Sequence, residues 1–250
     1  MSSRIVQRRW LLPVVLICLT LSCGCILHRG QRFRDFTTPT PLERNHILIL
    51  GFMGGREPWN NADRSVRKLA LRLRSMNEPG VWVETVENKK RSLAIELIVK
   101  AFDANQDGKL NERERDTIRL ILYGQSFGGA AVVKLARQLK QMEVPVLLTV
   151  QVDSIGRGDR MIPSNVDRAA NLFQRNGWFI RGEPQIRADD PAKTTIVSNL
   201  EFDYADKRID ISGVPFMKKA FRVAHTRMEY DPEVWARVEE LILDSIKKLR

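Results

Sequence analysis

Ser126 stands at the centre of "GQSFG", residues 124–128. An apolar run, "IRLILY" (118–123), leads into it, and small and apolar residues, "GGAAVVKLARQLKQM" (128–142), lead out. Strand, tight turn and helix in that order push a hydroxyl out from the end of a sheet, where it can act as a nucleophile. Glycines at 124 and 128 remove the side chains that would crowd such a turn. Just upstream, "DANQDGKLNERE" (103–114) places oxygen-bearing side chains at alternating positions around a glycine. That pattern suits a hard cation such as calcium.

The serine segment resembles the α/β-hydrolase family of lipases, esterases and their relatives, over about residues 45–250. The resemblance implies a Ser, acid, His order along the chain. Histidine occurs at 28, 46 and 225, so His225 alone follows Ser126. It sits in "FRVAHTRMEYDP", which reads as a loop before the last helix, and is the implied general base. Two acids compete for the third role. Asp153 ends the strand in "LLTVQVDSIG", an arrangement similar to that of pancreatic-type lipases; Asp203 follows the next strand, the commoner position. Asp153 is preferred because its strand is clearer. The implied oxyanion donors are the amides of Phe127 and of Phe52 in "GFMGG", with Met53 behind Phe52. The same loop lacks the pattern and lysine of a phosphate loop, which disfavours a nucleotide.

The acidic segment resembles an EF-hand loop. Asp103, Asn105 and Asp107 hold positions one, three and five, Gly108 position six and Glu114 position twelve. The Lys109 carbonyl supplies position seven. Only one such loop is visible, and its leaving helix, about Glu112 to Thr117, is short. The expectation is a structural calcium site rather than a sensor that opens a groove. An acidic capped turn without metal is the plainer alternative.

These residues need elements to hold them. "HILIL" (46–50), "GVWVETV" (80–86), "IRLILY", "VPVLLTVQV" (144–152) and "KTTIVSNLEF" (193–202) read as strands. Helices are expected over 60–75, 91–102, 128–142, 165–177 and 231–249. Strands alternating with helices predict an α/β fold, a mostly parallel sheet flanked by helices, α/β-hydrolase-like, with the EF-hand-like loop inserted before the nucleophile strand.

The 250 residues suit one domain, or at most two small ones, and 43% hydrophobic with 28% charged residues exclude a disordered chain. The formal charge of +11 is spread along the chain without aromatic interleaving, so no nucleic acid is expected as a partner. All three cysteines, Cys18, Cys23 and Cys25, lie in the first 25 residues, so the body holds neither a disulfide nor a cysteine nucleophile.

Residues 1–25 have a basic start and an apolar run from Trp10 to Leu21, the layout of a signal peptide. Their end resembles a bacterial lipoprotein signal, with Cys23 or Cys25 as the lipidated residue; simple cleavage or an uncleaved anchor are the alternatives. The expected location is the cell envelope, periplasmic or membrane-anchored. Residues 26–44, with "TPTP", read as a linker. The implied activity is that of an exported esterase or lipase on a small-molecule or lipid acyl ester, beside a membrane surface. A non-catalytic, envelope-anchored calcium-binding module on the same scaffold is the alternative.

Overall fold

The computed structural model describes residues 30–177, 180–214 and 216–249. The expected signal or anchor segment lies outside them. No helix among the described residues is long and apolar enough to cross a membrane.

Six strands build the main sheet: β1 (Ile47–Met53), β2 (Val81–Glu87), β3 (Leu120–Gln125), β4 (Val146–Val152), β6 (Val166–Phe173) and β8 (Thr195–Glu201). Their order is β2-β1-β3-β4-β6-β8, and each neighbouring pair is parallel. The short β5 (Met161–Ile162) and β7 (Arg187–Ala188) pair with each other beside it. The central strands are apolar at consecutive positions because both faces are covered. In β1, Leu48, Leu50 and Phe52 join one core and Ile47, Ile49 and Met53 the other. Helices α1 (Ser65–Ser75), α5 (Phe216–Tyr230) and α6 (Pro232–Lys247) cover the second core; α2 (Arg91–Phe102) and α4 (Phe127–Gln141) cover the first. The fold is the expected one, a parallel sheet flanked by helices.

Three expectations need correction. Residues 165–177, read as a helix, carry β6. Ala169, Ala170 and Asn171 have weak strand preference, but they lie between β4 and β8 and are buried, so pairing overrides propensity. His225, read as lying in a loop, is on α5, with Ala224 and Met228 buried a turn apart. The expected linker is, from Gln31 onward, part of the compact body. Gln31 Nε2 donates to the Thr85 carbonyl at 2.8 Å. The amides and hydroxyls of Thr37 and Thr38 all donate to Oε1 of Glu84 at 2.7–3.0 Å. Glu84 is fully buried, and Arg74 meets its other oxygen at 2.6 Å. Such a buried carboxylate is tolerable because both oxygens are satisfied.

The strand order reverses direction between β1 and β3. In an open parallel sheet, ligands bind beyond the carboxyl ends of the strands at such a reversal. The "GFMGG" loop and Ser126 both lie there.

Candidate active site

Ser126 occupies the single residue between β3 and α4, with φ 58° and ψ −123°. A non-glycine residue at positive φ is strained, and the surrounding bonds hold it there. Its amide donates to the Val152 carbonyl at 2.9 Å, and its carbonyl accepts from Gly129, Ala130 and Ile155. The glycines allow this packing. A Cβ on Gly128 would stand 2.0 Å from the Phe52 carbonyl oxygen, and one on Gly124 2.5 Å from Gly128. Helix α4 can therefore start against β1.

Asp153 follows β4 directly, at φ 42°, and is fully buried. Its Oδ2 lies 2.6 Å from His225 Nδ1. The same oxygen accepts from Gln174 Nε2 at 3.0 Å. On the other side of the imidazole, Nε2 lies 3.3 Å from the side-chain nitrogen of Gln125, the residue before Ser126. The tautomer with its proton on Nδ1 satisfies both contacts, donating to the Asp153 carboxylate and accepting from the Gln125 amide. Asp203 is not part of this cluster. Its exposed carboxylate accepts from the Ala205 amide and from Asn176, and these bonds hold its pKa below the usual carboxylate value.

The helix bearing His225 is pinned at its end. Arg64 pairs with Glu229 at 3.0 Å, and the Glu229 carbonyl accepts from Ser65 Oγ and Trp235 Nε1. Asp231 caps α6 and accepts from the Tyr204 hydroxyl at 2.7 Å. Burial, then that bond, pushes the Tyr204 hydroxyl far above its ordinary value, so it remains a donor.

The two expected oxyanion donors differ. Phe127 is the first residue of α4, so its amide has no acceptor within the helix. Phe52 lies inside β1, opposite Gly124. The Leu48 amide donates to Arg119 on the β3 side, and alternation sends the Phe52 amide into the same ladder. Phe52 is thereby committed to the sheet. The next amide on that side belongs to Gly54, just past the strand, where a Cβ would lie 3.5 Å from Ser126 Cβ. Gln174, Gln125 and Gly54 were not foreseen. Gln174 was hidden by the helical reading of its segment, and Gly54 by placing the end of β1 at Leu50 rather than Met53.

In the acidic loop, Asp103 Oδ1 and Oδ2 accept from the Asp107 and Gly108 amides, and Asn105 Oδ1 also accepts from Asp107. Asp107 Oδ1 accepts from the Lys109 amide. Glu114 Oε1 accepts from Ala104 and Asn105, and its Oε2 from Asn111. Gly108 takes φ 82°, as the sharp bend requires. The leaving helix, α3 (Glu112–Arg115), is a single turn, shorter than expected. The side chains are turned to backbone amides, and no group of three or more His, Cys, Asp or Glu among the described residues is drawn together as a metal cluster.

No protein-family model matches the chain, and neither does any curated protein. Among solved structures it is similar to a cutinase-like protein from Cryptococcus sp., with 14% identity and a TM-score of 0.46 over 83% of this chain and 98% of that one. It is also similar to RedJ, solved with a PEG molecule bound in the active site, with 11% identity and a TM-score of 0.35 over 72% and 88%. These are distant likenesses of chain path.

Proposed function

We propose that the chain is a serine hydrolase that cleaves an acyl ester through Ser126, His225 and Asp153. The observation that carries this reading is the 2.6 Å contact between His225 Nδ1 and Asp153 Oδ2, with the other face of the ring turned to the end of β3 beside the strained Ser126. His225 Nε2 takes the Ser126 proton as Oγ forms a bond to the acyl carbon. The amides of Phe127 and Gly54, the latter in place of Phe52, stabilise the oxyanion. The carbon–oxygen bond to the alcohol breaks, and the leaving alkoxide takes the proton from His225. A water then loses a proton to His225 as it attacks the acyl carbon; the bond from that carbon to Oγ breaks, Oγ takes the proton back from His225, and the acid leaves. Asp153 stabilises the imidazolium in both steps.

Short acyl esters test the reading. Ser126→Ala abolishes their hydrolysis above background. Activity that survives the substitution overturns the role of Ser126, and a native chain without activity favours the non-catalytic calcium-binding module.

Calcium is the proposed structural cofactor, held by Asp103, Asn105, Asp107, the Lys109 carbonyl and Glu114. The donor set fits. Asp103 and Glu114 are buried, and no cation pairs with any of the three carboxylates among the described residues. A divalent ion would neutralise that charge and fix the entry to β3; it supplies no step of the reaction. Export to the cell envelope, with Cys23 or Cys25 lipidated or removed, completes the proposal.

A further inference from the structure

We infer that the groove beside Ser126 selects esters carrying a negative charge away from the scissile bond. This rests on the hydrolase reading and names its substrate class. The groove has a volume of about 670 Å³ and runs past the start of α4. Phe127 and Ile155 contribute apolar surface, and Lys89, Arg91, Lys134 and Arg157 contribute charge; no carboxylate lines it.

The protein supplies no counter-charge to the four cations; Arg91 Nη1 donates to the Asn88 carbonyl at 3.4 Å. None forms an ion pair with a described residue. Arg91 Nε is buried without an acceptor. A buried guanidinium nitrogen left in that state is unfavourable unless a ligand completes it.

Helix electrostatics point the same way. Both α2, starting at Arg91, and α4, starting at Phe127, begin at this groove, and neither has an acidic residue in its first turn. The partial positive charge at a helix N-terminus favours Asp or Glu nearby and disfavours cations. Here Lys89, Lys90 and Arg91 crowd the start of α2 instead. That choice costs stability in the empty protein and becomes favourable when an anion sits against both helix ends.

The groove is joined to the reacting centre through its walls. The Ile155 amide donates to the Ser126 carbonyl at 3.2 Å. Asn88, on the opposite wall, donates through Nδ2 to the carbonyls of Met53 at 2.9 Å and Gly55 at 2.6 Å, bracketing Gly54. Ser126 itself does not line the groove, but Phe127, the next residue, does, so a substituent leading from Ser126 past Phe127 enters it. Apolar surface next to unpaired cations fits a short hydrocarbon segment ending in a carboxylate or phosphate.

Two matched ester pairs test this. One is 4-nitrophenyl butyrate against 4-nitrophenyl hemiglutarate, with the charge on the acyl side. The other is 1-butyrylglycerol against its 3-phosphate, with the charge on the alcohol side. The charged member of at least one pair is expected to have a kcat/KM about tenfold higher at low salt, a preference that shrinks as salt is added. The Lys134→Gln, Arg157→Gln double variant, which changes only exposed side chains, brings that ratio close to one. Calorimetric titration of 1-butyrylglycerol 3-phosphate into Ser126→Ala protein, with and without the double substitution, reads the groove independently of turnover. Binding that needs Lys134 and Arg157 supports the groove even if no ester is cleaved, in which case the hydrolase reading alone fails. Cleavage without a charge preference, a preference that persists in the double variant, or neither binding nor preference overturns the inference.

Discussion

His225 Nδ1 and Asp153 Oδ2 lie 2.6 Å apart, although 72 residues separate them along the chain. The contact joins the end of β4 to the middle of α5, and both partners are buried. A surface pair at that distance would be worth little. Inside the protein it fixes which imidazole nitrogen carries the proton and which faces the serine turn.

Asp153→Asn is therefore expected to lower kcat on a short acyl ester by about 10³–10⁴-fold with little change in KM, because an amide in that place favours the wrong tautomer. Asp203→Asn, altering an exposed carboxylate bonded to Asn176 and Ala205, leaves kcat within about twofold. Steady-state kinetics on the two variants side by side distinguishes them. Equal losses would contradict the assignment of the acid.

The Glu84 clamp predicts a stability effect remote from catalysis. In Glu84→Gln one oxygen becomes an NH2 group, which faces either Arg74 or the four donors of Thr37 and Thr38. The loss is about 2–3 kcal/mol by urea unfolding, since a buried charged hydrogen-bond partner is removed. An unchanged midpoint would mean that residues 31–38 contribute nothing to the body.

Calcium is expected to raise the melting temperature. At about one hundred times its dissociation constant, a ligand specific to the folded state adds about 2.7 kcal/mol. For a chain of this size that corresponds to a rise of about 5–10 °C. Glu114→Gln abolishes the rise. Equal melting temperatures with calcium and with a chelator would count against the site.

Much of this arrangement is legible in the sequence where local and global preferences agree. Ser126 announces itself because apolar β3 and the small residues of α4 both fit the strand–turn–helix reading. The two glycines that flank it are required by the approach of α4 to Phe52. Strand β6 stays hidden because its Ala-Ala-Asn core carries no strand signal; pairing with β4 and β8 makes it one. The signal for helix α5 is present, with Met217, Ala220, Phe221, Ala224 and Met228 at helical spacing, and a loop reading of the stretch around His225 passes over it. The proposed oxyanion donor is Gly54 rather than Phe52 because β1 continues through Gly51, whose missing side chain makes room for the Tyr123 ring, to Met53. Strand ends are set by such partners across the sheet, which lie far away in sequence.

The most direct test of the hydrolase account is covalent labelling with an alkyl fluorophosphonate, followed by peptide mapping by mass spectrometry. The account predicts a single adduct, on Ser126, that forms in the native chain and is lost when His225 is replaced by Ala. An unlabelled native protein, or an adduct on any other residue with Ser126 untouched, would contradict it.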